Sequence, residues 1–377
     1  MRRFGICVAA LALLPVWTAM GGPLDWPEVT AECRPWAYHW WLGGAVDREN
    51  LAREIERHRQ GGLGGVHVVP IYGAKGAEDR YIEYLSPKWM EMLRFAVEEG
   101  KRKGLGIDMT TGTGWCFGGP NISRELGCRN RMVKRIGFPA EGKLPDDLDP
   151  KQVAIQAVVA RGPDGQREEI TDRLRADGSL DWTPPADGWN VYVLGHQFAR
   201  RMVKRAAPGG AGPMINPFSA ASMQKYLERF TAAFQTPGNA KPRAMYHDSF
   251  EYSGNWSPEL PGEFAKRRGY RIEEELPALA GDGEADRVAR VRCDVSETLS
   301  DMVIEDVFPQ WVAWCHARGI KTRNQAHGAP ANWLDYYAVA DVPETEMFGH
   351  GGPDPLVSKY DEHIAGADRD PLISKFA

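Results

Sequence analysis

The side chains best suited to acid–base or hydroxyl-binding chemistry fall in three short segments. They are His247-Asp248-Ser249-Phe250-Glu251, Asn324 with His327, and Pro343-Glu344-Thr345-Glu346. In the first, strand alternation puts Asp248 and Phe250 on one side, and Glu251 falls where the strand breaks into Tyr252-Ser253-Gly254. A carboxyl beside Phe250, Tyr252 and Trp256 is expected to be partly desolvated, which raises its pKa and keeps a proton on it for a leaving oxygen. That is a general-acid environment. The plainer reading of Glu251 is a strand-end carboxylate, solvated or ion-paired. Glu344 and Glu346, two residues apart, face the same way and suit one cation or one sugar, against the plainer reading of a surface acidic pair. Asn324 and His327 suit hydroxyls or a metal, although a lone histidine is more often structural.

The glycine-rich run Gly112-Thr113-Gly114-Trp115-Cys116-Phe117-Gly118-Gly119 follows a strand candidate and superficially resembles a phosphate loop. Trp115 and Phe117 are bulky neighbours for a pyrophosphate, no Gly-Lys-Ser/Thr follows, and Pro120 stops an immediate helix. An aromatic substrate loop is preferred over a purely structural turn. His-Glu-x-x-His, Gly-x-Ser-x-Gly and calcium-loop spacings are missing from the sequence, which argues against three common hydrolase or metal classes.

These residues need elements to hold them, and the chain supplies a repeated join. Gln60-Gly61-Gly62-Leu63-Gly64 leads into Gly65-Val66-His67-Val68-Val69, Lys103-Gly104-Leu105 into Gly106-Ile107-Asp108-Met109-Thr110, and Arg318-Gly319 into Ile320-Lys321-Thr322-Arg323-Asn324. Each reads as a helix ending on glycine followed by a buried parallel strand. Amphipathic helices are expected over 48–60, 88–103, 219–234 and about 285–318. Strands are expected at Trp36–Trp41, Val66–Pro70, Ile107–Thr111, Ala244–Phe250, Lys321–Ala326 and Val342–Glu346. Such a series predicts an α/β fold, a (β/α)8 barrel with about six of its eight units present; a six-stranded open sheet is the alternative. Residues 131–205 differ, with Asp164-Gly165, Asp177-Gly178 and Asp187-Gly188 punctuating short apolar runs, and predict a β-rich insertion between the third and fourth strands. The catalytic barrel is then expected over 23–130 and 206–377.

In such a barrel the functional side chains stand at the C-terminal strand ends. Those ends hold Trp40, Trp41, Asp108, Thr113, Trp115, His247, Asp248, Glu251, Asn324, His327, Glu344 and Glu346. Carboxylates, amides, imidazoles and indoles at one rim suit a pyranose, whose hydroxyls need polar partners and whose apolar face packs on rings.

Composition narrows the partners. With 43% apolar and 26% charged residues, the chain has enough apolar content for a large core. A net charge of −5 weighs against a broad nucleic-acid surface and suits a neutral sugar better than a phosphate. Arg2 and Arg3 before an apolar run from Ile6 to Val16, with small residues at Ala19, Gly21 and Gly22, predict an export signal over 1–22 and a periplasmic or extracellular protein. No later segment is apolar for long enough to span a membrane. The cysteines at 33, 116, 128, 293 and 315 lack a zinc spacing; buried free thiols are the default, with a single Cys116–Cys128 disulfide left open.

Taken together, Arg34-Pro35-Trp36-Ala37-Tyr38-His39-Trp40-Trp41-Leu42-Gly43-Gly44, Gly106 through Trp115, Asn216-Pro217-Phe218-Ser219, His247 through Glu251, Thr322-Arg323-Asn324-Gln325-Ala326-His327-Gly328 and Pro343 through Glu346 resemble glycoside hydrolase family 106, the α-L-rhamnosidases. The resemblance implies a (β/α)8 barrel and calcium-assisted, inverting hydrolysis of terminal α-L-rhamnose from an oligosaccharide or glycoside. It implies Glu251 as general acid, a general base beyond residue 377, and Glu344 and Glu346 as calcium or sugar ligands. On that reading the chain is the N-terminal part of a longer enzyme and inactive alone. Its rivals are a non-catalytic carbohydrate-binding protein, another glycosidase pairing Glu251 with Glu344 or Glu346, and, more remotely, a metal-dependent esterase.

Overall fold

The computed structural model describes residues 28–137, 142–235 and 241–345. The chain opens with β1 (Trp36–Leu42), α1 (Arg48–Gln60), β2 (Gly65–Ile71), α2 (Pro87–Arg102) and β3 (Gly106–Thr110). Local chemistry sets these helix starts. Asp47 accepts the backbone N–H of Asn50, and Ser86 accepts that of Trp89 with Pro87 at the first helical position.

An antiparallel sheet then interrupts the series: β4 (Arg129–Gly137), β5 (Ala154–Arg161), β6 (Arg167–Glu169) and β7 (Asn190–Phe198), in the order β4-β7-β5-β6. The parallel series resumes with α3 (Ala220–Phe234), capped by Ser219, and β8 (Ala244–His247). After it come α4 (Leu260–Arg268), α5 (Leu276–Ala280), α6 (Ala285–Asp301), α7 (Phe308–His316), β9 (Lys321–Gln325), α8 (Trp333–Ala338) and β10 (Val342–Glu344). The helix expected over about 285–318 is interrupted by a wider, π-type turn at Met302–Val307. Pro309, which has no N–H to donate, stands two residues beyond it, after Phe308.

The six parallel strands lie in the order β1-β2-β3-β8-β9-β10, so each new strand joins the edge made by the one before it. One face packs on helices. Trp41 meets Trp89 of α2 at 5.3 Å between ring centroids, and the Trp311 indole of α7 donates to Thr111. The other face is polar and aromatic: Tyr38 lies 5.1 Å from His67, which lies 4.7 Å from Tyr246. An ion-pair ladder runs across it. Arg243 and Arg323 both hold the fully buried Asp108, and Arg323 also engages Glu344 on β10.

The strand expected to run to Phe250 stops at His247. The Asp248 carboxylate accepts the N–H of Ser249 at 2.7 Å, and Phe250 N–H turns to His327 O at 2.8 Å. The alternation assumed beyond His247 therefore lapses, and Phe250 is buried in the main core rather than beside Asp248. The five cysteines in the described residues, including Cys116 and Cys128, are free thiols.

Candidate active site

At the C-terminal ends of the parallel strands lies a cleft of ≈ 430 Å³ lined by Tyr38, Trp40, Val69, Thr110, Trp115, Asp248, Ser249, Glu251, Gln325, Glu344 and Thr345. Strand alternation delivers Tyr38 and Trp40 from β1, Thr110 from β3, Gln325 from β9 and Glu344 from β10 to the same side. Trp40 is 49% exposed, a large ring open to the cleft.

Three carboxyl groups meet here in different surroundings. Asp248 is mostly buried, and burial, reinforced by the nearby Glu344 charge, pushes its pKa above the ordinary carboxylate range. Glu251 accepts from Ser249 Oγ at 3.2 Å and from Lys204 Nζ, while its N–H points to Cys116 Sγ at 3.2 Å. Glu344 is engaged by Arg323.

The partner of Glu251 comes from the strand's return after the antiparallel sheet. Lys204 and Trp115 exchange backbone hydrogen bonds, Lys204 N–H to Trp115 O being 2.8 Å. Gly114 permits this approach, since a Cβ there would fall 1.8 Å from Lys204 O and its φ is +56°. Arg205 then lies over the Trp115 ring at 4.6 Å.

Of the residues singled out from the sequence, Trp40, Trp115, Asp248, Glu251 and Glu344 come together in the cleft. Asp108 sits below it, buried and ion-paired to Arg243 and Arg323. Trp41, His247 and Asn324 lie on the helix-packed face. His247 is fully buried against Phe117 and Phe308, and burial pushes its pKa down to about 3. A neutral ring there donates from Nδ1 to Asn324 Oδ1 at 2.8 Å and accepts at Nε2 from Tyr252 at 3.1 Å. Thr113 is buried beside Gly210, and His327 packs near Trp333 at 5.9 Å, neither of them in the cleft lining. Glu346 and the expected export signal lie outside the described residues.

Tyr38, Gln325 and Lys204 were not anticipated. The first two carried a signal, since Tyr38 stands two residues before Trp40 and Gln325 lies on the opposite face of its strand from Asn324. Lys204, 47 residues from Glu251, carried none.

A (β/α)-type parallel sheet with carboxylates and aromatic rings at its strand ends is the setting in which the family comparison is decisive. The model of glycoside hydrolase family 106, alpha-L-rhamnosidase, matches residues 27–138 and 164–368. The chain belongs to this family. Its fold is similar to that of a rhamnosidase from Novosphingobium sp. PP1Y, with a TM-score of 0.65 at 17% identity over 83% of this chain and 48% of that one. A relative from Formosa agariphila, provisionally named a beta-glucuronidase, is 24% identical over 90% of this chain and 33% of its own length. The family 106 chain thus spans about half of the solved rhamnosidase and a third of that relative. No helix among its described residues is long and apolar enough to cross a membrane.

Proposed function

We propose that this chain builds the sugar-binding cleft of an exported glycoside hydrolase that removes terminal α-L-rhamnose from an oligosaccharide or glycoside by inversion. The observation that carries this reading is the meeting of Asp248, Glu251 and Glu344 with Tyr38, Trp40 and Trp115 in one cleft at the parallel strand ends of a family 106 chain. The sequential strand order supports a (β/α)8 barrel of which these are six strands. The Arg2-Arg3 and apolar Ile6–Val16 pattern supports export.

Glu251 is assigned as general acid. Lys204 Nζ has only hydrogens to donate, so the oxygen facing it is an acceptor and carries no proton in this arrangement. The pair is 38–39% exposed at both ends, so it is worth only about 0.2–1 kcal/mol. An incoming sugar can displace Lys204, and the freed carboxylate takes up a proton from water before donating it to the departing oxygen. A second reading is favoured by the raised pKa of Asp248, which would then hold the proton. Inversion requires a second carboxylate roughly 6.5–9.5 Å from the acid to activate water. Glu344 is held by Arg323 and is not assigned that role.

Calcium, with roughly six to eight oxygen ligands, would assist by orienting hydroxyls. Among the described residues no group of three or more His, Cys, Asp or Glu side chains is gathered for a metal, and Glu344 already has a cationic partner. The described residues do not by themselves form its shell.

Leaving-group dependence tests the acid. Glu251→Gln in the full gene product should lower kcat/KM by about 10²–10⁴ on a rhamnoside with a poor leaving group and far less on a dinitrophenyl rhamnoside, which departs without protonation. The same pattern from Asp248→Asn alone would transfer the role to Asp248. If neither substitution reduced turnover, the cleft would not be the reaction site.

A further inference from the structure

Beyond the cleft, the segment that returns from β7 carries Arg200, Arg201, Lys204 and Arg205 with no acidic residue among them. It runs from a second hollow of ≈ 330 Å³ to the catalytic rim. Arg124, Arg129, Lys151 and Arg200 line that hollow around a single carboxylate, Glu125. Among the described residues none of these four cations forms an ion pair, whereas Arg267, Arg268, Arg271, Arg287 and Arg290 all do. Arg129 Nε is buried without a partner, and the Arg124 guanidinium lies 5.5 Å over the Phe198 ring. Like charges gathered round a hollow repel unless an anion fills it, and in a chain of net charge −5 this concentration is local.

The hollow is within reach of the chemistry. Arg200 and Lys204 are four residues apart, at most about 14 Å of extended chain. Lys204 meets Glu251, the group assigned to the departing oxygen, so the segment leads away on the leaving-group side. We propose that this hollow is an anion subsite for an acidic sugar, bearing a carboxylate or a sulfate ester, on the leaving-group side of the bond cleaved. The guanidinium groups would bind its oxygens, and Phe198 would supply an apolar wall. The placement rests on the cleft being the site of cleavage; the binding itself does not.

Calorimetric titration of the full gene product with galacturonate, sulfated galactose and neutral galactose oligosaccharides of equal length tests this. At low salt at least one acidic ligand should bind about tenfold or more tightly than the neutral one, the scale of one charge-assisted hydrogen bond, and added salt should erode that preference. The preferred acid distinguishes carboxylate from sulfate. Combined Lys151→Ala and Arg200→Ala should abolish the preference, while Lys151→Arg with Arg200→Lys should keep most of it. Equal binding of acidic and neutral ligands by the unsubstituted protein, or a preference that survives the alanine pair, would overturn the proposal. Acidic-ligand preference without rhamnoside cleavage would keep the subsite and remove the cleavage reading; cleavage without preference would do the reverse.

Discussion

Asp248 and Glu251 are three residues apart and live in opposite electrostatic surroundings. Glu251 stands at the rim with an ammonium partner, whereas Asp248 is mostly buried with Glu344 nearby. Burial first, and then that like charge, raises the pKa of Asp248 in the folded state, so the native protein binds this proton more tightly than the unfolded chain does. Below the unfolded value the group costs nothing. As pH rises through the folded value the charge must be held in place, and the penalty is complete above it. Asp248→Asn keeps the acceptor for Ser249 N–H and removes the charge. Its Tm should therefore exceed that of the parent protein near neutral pH, with the gap closing on acidification, as scanning calorimetry across pH would record. A gap that widened toward low pH would mean that Asp248 is stabilised as the anion.

Single elements explain which candidates reached the cleft. The period-two rule applied to β1 separates Trp40, in the cleft, from Trp41, on the helix-packed face. Sequence adjacency made both look like rim residues. Likewise Asn324 packs with His247 under the helices while its neighbours Arg323 and Gln325 face the other way. The strands and helices themselves were legible because each has its own local signal: glycine after a helix, a capping serine or aspartate, an unbroken apolar run. The long-range pairings had none. Nothing local says that Arg323 bridges Asp108, 215 residues away, to Glu344. This bridge makes a prediction for the sheet. Arg323→Met would leave the fully buried Asp108 with Arg243 alone and free Glu344, at a cost below the roughly 3–5 kcal/mol of a wholly unpaired buried charge, because Arg243 still holds Asp108 through two hydrogen bonds. Urea unfolding should show that loss, and Arg323→Lys, which keeps a charge but not the forked contact, should recover only part of it.

At the scale of the whole molecule, the two sheets share a core. In β5 and β7, Ala157, Val159, Tyr192 and Leu194 join the main core, while the alternate residues Val158, Ala160, Val191 and Val193 form a separate small one. The central strands β5 and β7 are thus buried on both faces, and β7 feeds directly into the segment that sets Lys204 against Glu251 and Arg205 over Trp115. Trp256 is the joint between the two. It is fully buried, its indole donates to Gln156 of β5 at 2.7 Å, and its backbone bridges Arg129 of β4. If the sheets unfold together, Trp256→Ala should cost about 3–5 kcal/mol and lower one calorimetric transition without splitting it. If instead the antiparallel sheet melts first, the variant should show two transitions, the earlier one accompanied by loss of the acidic-sugar preference while the parallel sheet persists. The first outcome makes the rim segment as stable as the parallel-sheet core; the second makes it a separately yielding wall of the cleft.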